Sequence, residues 1–159
     1  MEYRIVEREA FQVIGINNEF PYTVEDGGIQ AFQSFWNTIH ENGTVNQLAD
    51  LKNGEIDGIL GIWAEVNKEQ DKMDYYVAVE YSGDVPAEFK KIEYPSSKWV
   101  VFEVHGSFPS ALANVWERIY SEWFPSTGHE PSELKPFEVY IETNPQVPNT
   151  YNEIWVAIE

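Results

Sequence analysis

Residues 135–142 read KPFEVYIE and set one carboxylate among aromatic side chains. In an extended strand, neighbouring side chains point to opposite faces. Glu138 and Tyr140 would then share one face, and Phe137, Val139 and Ile141 the other. A carboxylate on an aromatic floor supports two kinds of chemistry. It can pair with a lipophilic cation, to which each aromatic face adds about 0.5–2 kcal/mol. It can also serve as general base on a water while a tyrosine hydroxyl polarises a leaving group. Buried without a partner it would cost on the order of several kcal/mol. The plainer reading is a solvated strand residue, or one paired with Lys or Arg. Tyr140 is the nearest aromatic partner by sequence. Trp155 and Trp63 come next as wall residues, then Tyr75 and Trp99, all subject to strand parity. Glu19, Glu25, Glu80 and Glu103 read as solvated charges.

Other chemistry is thin. His40, His105 and His129 stand far apart, without His-x-x-x-His or a carboxylate spacing typical of a metal site, so no metal is expected. There is no Gly-rich phosphate loop and no G-x-S-x-G elbow. The chain has no Cys, which removes disulfides and thiolate ligands.

The elements that would position Glu138 repeat along the chain. FQVIGI (11–16) reads as a strand, and IQAFQSFWNTIHENG (29–43) as a helix with Ile29, Phe32, Phe35, Trp36 and Ile39 on one stripe. Gly43 is placed to close it in the left-handed conformation. GILGIWAEV (58–66) and DYYVAVEY (74–81) read as strands, with Gly58 and Gly61 marking a bulge or a close backbone approach. The same order returns. WVVFEV (99–104) is a strand. A helix capped by Ser107 or Ser110 runs to about Trp123, with Leu112, Val115, Trp116, Ile119 and Trp123 inward, and Pro125 stops it. FEVYIE (137–142) and EIWVAIE (153–159) follow. Trp36 and Trp116 sit on these stripes as packing residues. The expected fold is α+β: tandem β-α-β-β repeats, about 1–81 and 95–159, within one domain of 159 residues. Residues 82–98 connect them.

One repeat alone, at roughly 60 to 80 residues, makes a marginal core. Joined, the two would form a curved antiparallel-rich sheet with both helices on one face. The other face would then carry Trp99 and Val101 or Val100 and Phe102, with Trp155 and Ala157 or Ile154 and Val156. Either choice exposes apolar surface suited to a ligand groove. The net charge of -17, with only 10 Lys and Arg, argues against nucleic acid and anionic membranes and favours cationic partners. The N-terminus has no apolar signal run and no stretch approaches a membrane span, so a cytoplasmic location is expected.

The run WVVFEVHGSFPSALANVWERIYSEWFPSTGHE, then PFEVY and IWVAI, resembles the DNA gyrase inhibitor-like superfamily. That domain also serves as the effector-binding domain of AraC-type and MerR-type multidrug-responsive regulators. The resemblance covers nearly the whole chain and is strongest from Trp99 to Ile158. It implies pseudo-twofold symmetry, a groove between the repeats away from the helices, and a glutamate in the groove that meets cationic, aromatic ligands. The matching position is Glu138. The reading that follows is a stand-alone binding protein for hydrophobic, cationic small molecules, without a cofactor and without direct DNA contact. Its ligand-binding residues would be Glu138, Tyr140, Trp155, Trp63, Tyr75 and Trp99. Hydrolysis of electrophiles, with Glu138 as base, is the alternative implied by stand-alone relatives. A gyrase-inhibitor-like protein interaction through the acidic surface is a second.

Overall fold

The computed structural model describes residues 1–21, 26–67, 69–144 and 146–159, and the backbone alone of 26–30. Eight strands occur among them: β1 (Tyr3–Arg8), β2 (Phe11–Phe20), β3 (Ile59–Asn67), β4 (Lys72–Glu80), β5 (Lys90–Tyr94), β6 (Ser97–Gly106), β7 (Phe137–Tyr140) and β8 (Thr150–Ile158). The helices are α1 (Asp26–Glu41), α2 (Thr44–Leu51), α3 (Ser110–Arg118) and the short α4 (Phe124–Thr127). A π-helical turn, Ile119–Trp123, joins α3 to α4. The fold is the expected α+β, with antiparallel pairing throughout the ladders described below. No helix among the described residues is long and apolar enough to cross a membrane.

The chain divides into two compact units, Gln12–Ile92 and Met1–Phe11 with Glu93–Glu159. In the first, β4 lies between β2 and β3, with Ile14 opposite Val79 and Trp63 opposite Tyr75. Antiparallel partners share a face, so one set of side chains meets the helices. Ile14, Phe20, Tyr75, Val77 and Val79 pack there against Ile39 and Leu48, with Phe32, Phe35 and Trp36 partly buried beside them. Glu25 and the side chain of Ile29 lie outside the described residues. Gly43 takes the left-handed conformation expected of it (φ 85°). The bulge does not fall at a glycine. Gly61 pairs regularly with Val77, and the register shifts between Trp63 and Glu65. The glycine that does permit close approach is Gly15, where a Cβ would sit 2.0 Å from the Val77 carbonyl oxygen.

In the second unit β6 is flanked by β1 and β8, and β7 pairs with β8. Val100, Phe102, Val104, Ile154, Val156 and Ile158 form the sheet side of a core closed by Leu112, Val115, Ile119, Trp123 and Phe124. Two terminators differ from expectation. Neither Ser107 nor Ser110 caps α3; Pro109 holds the N-cap position, without a side-chain cap. Pro125 does not stop the helix. It sits in the first turn of α4, where a missing N–H is tolerated. The helical run ends at Gly128 (φ 76°).

The apolar part of the sheet face turned away from α3 is not open. Trp99, Val101, Phe137, Trp155 and Ala157 are all buried. Its aromatics close on one another: Phe137 stacks on Trp155 at 5.6 Å, and Trp99 lies 5.3 Å from Phe137. Phe11 and Tyr94, stacked at 5.0 Å, each lie within 6.0 Å of Trp99. The surface expected to be exposed is thus consumed by aromatic packing.

Candidate functional site

β7 is four residues long, and its alternation places each side chain. Phe137 pairs with Trp155 and Glu138 with Ile154, so Glu138 faces the α3 side of the sheet. Its carboxylate is half-buried and held by two donors. Trp116 Nε1–H donates to Oε2 at 2.8 Å and the Tyr140 hydroxyl donates to Oε1 at 2.5 Å. Trp116 is in place because α3 buries Leu112 and Val115 in the core, which lays the indole against the same cluster. The sequence assigned Trp116 to packing alone. It packs, and its indole N–H also reaches the carboxylate.

Aromatic surface extends from that point. Trp116 and Tyr120 are near-parallel (3°) with centroids 6.4 Å apart, and Tyr120 is 49% exposed. Phe124 follows at 5.5 Å from Tyr120, and Phe108 meets Tyr140 edge-on at 6.1 Å. The π-helical turn admits an extra residue, closed by the Phe124 N–H to the Ile119 carbonyl. Ile119 and Trp123 are thereby buried while Tyr120 stays in solvent beside Trp116.

β7 ends at Tyr140, and an asparagine side chain helps hold the chain beyond it. Asn152 Oδ1 accepts from the N–H groups of Ile141 (2.7 Å) and Glu142 (3.1 Å), and its Nδ2 donates to the Glu142 carbonyl (2.8 Å). The Glu142 N–H also donates to the Tyr151 carbonyl at 3.2 Å, so side chain and backbone together fix the chain after Tyr140.

A second carboxylate lies on the opposite face. Glu153 shares its parity on β8 with Trp155, a signal already present in EIWVAIE. It is buried, and accepts from Trp155 Nε1 (3.1 Å), the Tyr151 hydroxyl (2.6 Å) and Arg4 (3.0 Å). The Arg8 guanidinium lies 4.4 Å from the Phe11 ring centre and 5.9 Å from that of Trp155. This face therefore carries its own cations. Glu138 differs: among the described residues its hydrogen-bond donors are both neutral, so its carboxylate is hydrogen-bonded without an opposite charge beside it.

The Tyr151 hydroxyl is pushed up to about 12, by desolvation first and then by its bond to Glu153. A folded value above the unfolded one, about 10, means stability that is complete below pH 10 and drains away as pH rises towards 12. Tyr94, Tyr120 and Tyr76 shift in the same direction through burial. The informative comparison is therefore by difference: Tyr151→Phe should lose less stability than the wild type in urea melts across this alkaline window.

The structure sorts the six expected ligand-binding residues into three groups. Glu138 and Tyr140 stand together with Trp116. Trp99 and Trp155 stand together on the far face of the same unit. Trp63 and Tyr75 stand together in the other unit, 4.4 Å apart, with Phe32 stacked on Trp63 at 5.6 Å. Of the glutamates read as solvated, Glu19 is exposed near Lys72 at 3.8 Å, and Glu103 lies 3.4 Å from His105. Glu80 is buried instead, accepting the Ile56 N–H at 3.2 Å, and so ties the loop before β3 to β4.

A family model for integron-associated effector-binding proteins, Cass2, matches residues 4–158. The transcriptional regulator BrlR of Pseudomonas aeruginosa is 29% identical over 163 residues, covering 99% of this chain and 56% of BrlR. The chain thus spans little more than half the length of that regulator. Among solved structures, SAV2435 bound to tetraphenylphosphonium is 25% identical with a TM-score of 0.80, covering 100% of this chain and 94% of that one. An integron cassette protein from the mobile metagenome of Vibrio cholerae shares the fold at 18% identity and a TM-score of 0.63, covering 99% and 95%.

Proposed function

The chain belongs to the family of integron-associated effector-binding proteins, and from that premise we propose that it binds lipophilic organic cations at Glu138. The observation that carries this reading is the neutrality of the carboxylate's partners. Trp116 and Tyr140 orient both oxygens and leave a net negative charge in half-buried aromatic surroundings. An arriving cation supplies the missing countercharge. It also finds aromatic faces whose quadrupoles attract it. Water is a poorer neighbour there, so the contact is worth more than an exposed ion pair. The net charge of -17 favours the approach of cations at long range. The relative solved with tetraphenylphosphonium bound supports the ligand class.

Neither role assigned to Glu138 needs a cofactor. Binding requires orientation only, and Trp116 and Tyr140 supply it. Tetraphenylphosphonium and rhodamine-type cations should quench tryptophan fluorescence on titration, whereas size-matched anionic dyes should not. Raising salt should weaken the cation's binding only modestly, because a contact shielded from water is poorly screened. Equal affinity for cation and anion would remove the electrostatic reading.

A further inference from the structure

The geometry points to a binding site for one divalent transition-metal ion, of the zinc or cobalt kind, held by Glu2, Glu103 and His105. The three residues are brought together by strand pairing and not by a helical spacing. Glu103 and His105 are two apart on β6 and so share a face. The Glu103 N–H donates to the Glu2 carbonyl at 3.0 Å, which extends the β1–β6 ladder by one step and sets Glu2 across from Glu103. One ligand atom from each residue lies within 4.8 Å of the others.

Two further observations favour an ion. His105 Nε2 stands 3.4 Å from an oxygen of Glu2 and 3.4 Å from an oxygen of Glu103. That is long for a charge-assisted hydrogen bond, which falls at about 2.7–2.9 Å. It matches the edge of a tetrahedron whose centre is about 2.1 Å from each corner, the bond length of zinc to imidazole and carboxylate. The second observation is the charge pattern. Glu103 is opposite Glu2 on one side and opposite Glu153 on the other. Three carboxylates abreast across three strands repel one another. Arg4 answers Glu153; the nearest counterpart of Glu2 and Glu103 is His105.

A divalent ion bound by two carboxylates and a neutral imidazole cancels both charges. The imidazole selects ions such as zinc and cobalt over magnesium and calcium, which prefer oxygen alone. Glu2 and His105 are exposed, so a fourth position stays open to water. The Tyr151 ring, 5.3 Å from that of His105, braces the imidazole from β8. Occupancy would pin the start of β1 to β6 and so stabilise the folded chain.

The test is calorimetric titration of the whole chain with Zn²⁺ in excess Mg²⁺, which saturates diffuse acidic sites. One ion per chain is expected, with a rise in melting temperature. His105→Ala and Glu103→Gln should each weaken binding by roughly tenfold or more and abolish the thermal shift. Urea melts without metal check that each variant folds, and His105→Gln provides a second substitution of similar size should the alanine variant fail. Wild-type affinity in these folded variants would overturn the proposal, as would equal competition by Mg²⁺. Neither outcome depends on the organic ligand, so the proposal for Glu138 stands or falls separately.

Discussion

Glu138→Gln will weaken tetraphenylphosphonium binding by roughly 10- to 100-fold, about 1–3 kcal/mol, the scale of a charge-assisted contact. The substitution removes charge and little else. The amide oxygen can keep the bond from Trp116, and the amide N–H₂ can donate to the Tyr140 oxygen in place of accepting from its hydroxyl. The aromatic surroundings are unaltered and the fold should hold, with a change in unfolding free energy below about 1 kcal/mol. A neutral aromatic ligand of similar shape should bind wild type and variant alike. The measurement is a pair of fluorescence titrations with one cation and one neutral compound, next to urea melts. Unchanged cation affinity would mean that Glu138 is only a partner for Trp116 and Tyr140.

The largest loss of stability is expected from Asn152→Ala, at about 2–4 kcal/mol. The side chain is buried and satisfies two backbone N–H groups and one carbonyl at the end of β7. Truncation leaves the Ile141 N–H and the Glu142 carbonyl without this partner, each costing about 1–3 kcal/mol where water cannot replace the asparagine, while the Glu142 N–H retains the Tyr151 carbonyl at 3.2 Å. Asn152→Asp preserves the acceptor but not the donor to the Glu142 carbonyl, and should recover part of the loss. Thermal melts of the two variants give the comparison. Because Tyr140 is the last residue of β7, Asn152→Ala should also loosen the cation site, and a stability loss with intact affinity would show that β7 holds its register without this anchor.

The strands most visible in the sequence were those buried on both faces. WVVFEV and EIWVAIE announced β6 and β8 because most residues on both faces of those strands are buried. β1 and β5 went unseen for the opposite reason. YRIVER is charged and largely exposed, and KKIEY lies in a stretch that reads as a connector. α2 carries only a short stripe, Val45, Leu48 and Leu51, of which Leu48 alone is fully buried. Parity placed Glu138 and Tyr140 together, as found, but could not say which side of the sheet they faced. That is decided by α3, whose Trp116 reaches the carboxylate from 22 residues away in sequence. Glu153, two residues before Trp155, shows the same carboxylate-and-aromatic pattern as Glu138 but lies outside the FEVY motif. The pairing of His105 with Glu2 was invisible, since nothing in the sequence identified β1 as the neighbour of β6.

The attachment of β1 to β6 has a consequence for the order in which the chain acquires structure. Tyr3 is registered with Phe102 and Arg4 with Val101, across roughly a hundred positions, so this is a contact of high sequence separation and slow to close. During synthesis, residues 12–92 emerge with their helices and paired strands complete in themselves, while the segment made before them still lacks a template. Its Arg4 and Arg8 have no Glu153 or Trp155 to meet until β8, near the far end, has left the ribosome. β1, made before the other described strands, is therefore among the last of them to be locked, and its charged, largely exposed character suits a segment that must wait in water without sticking to itself.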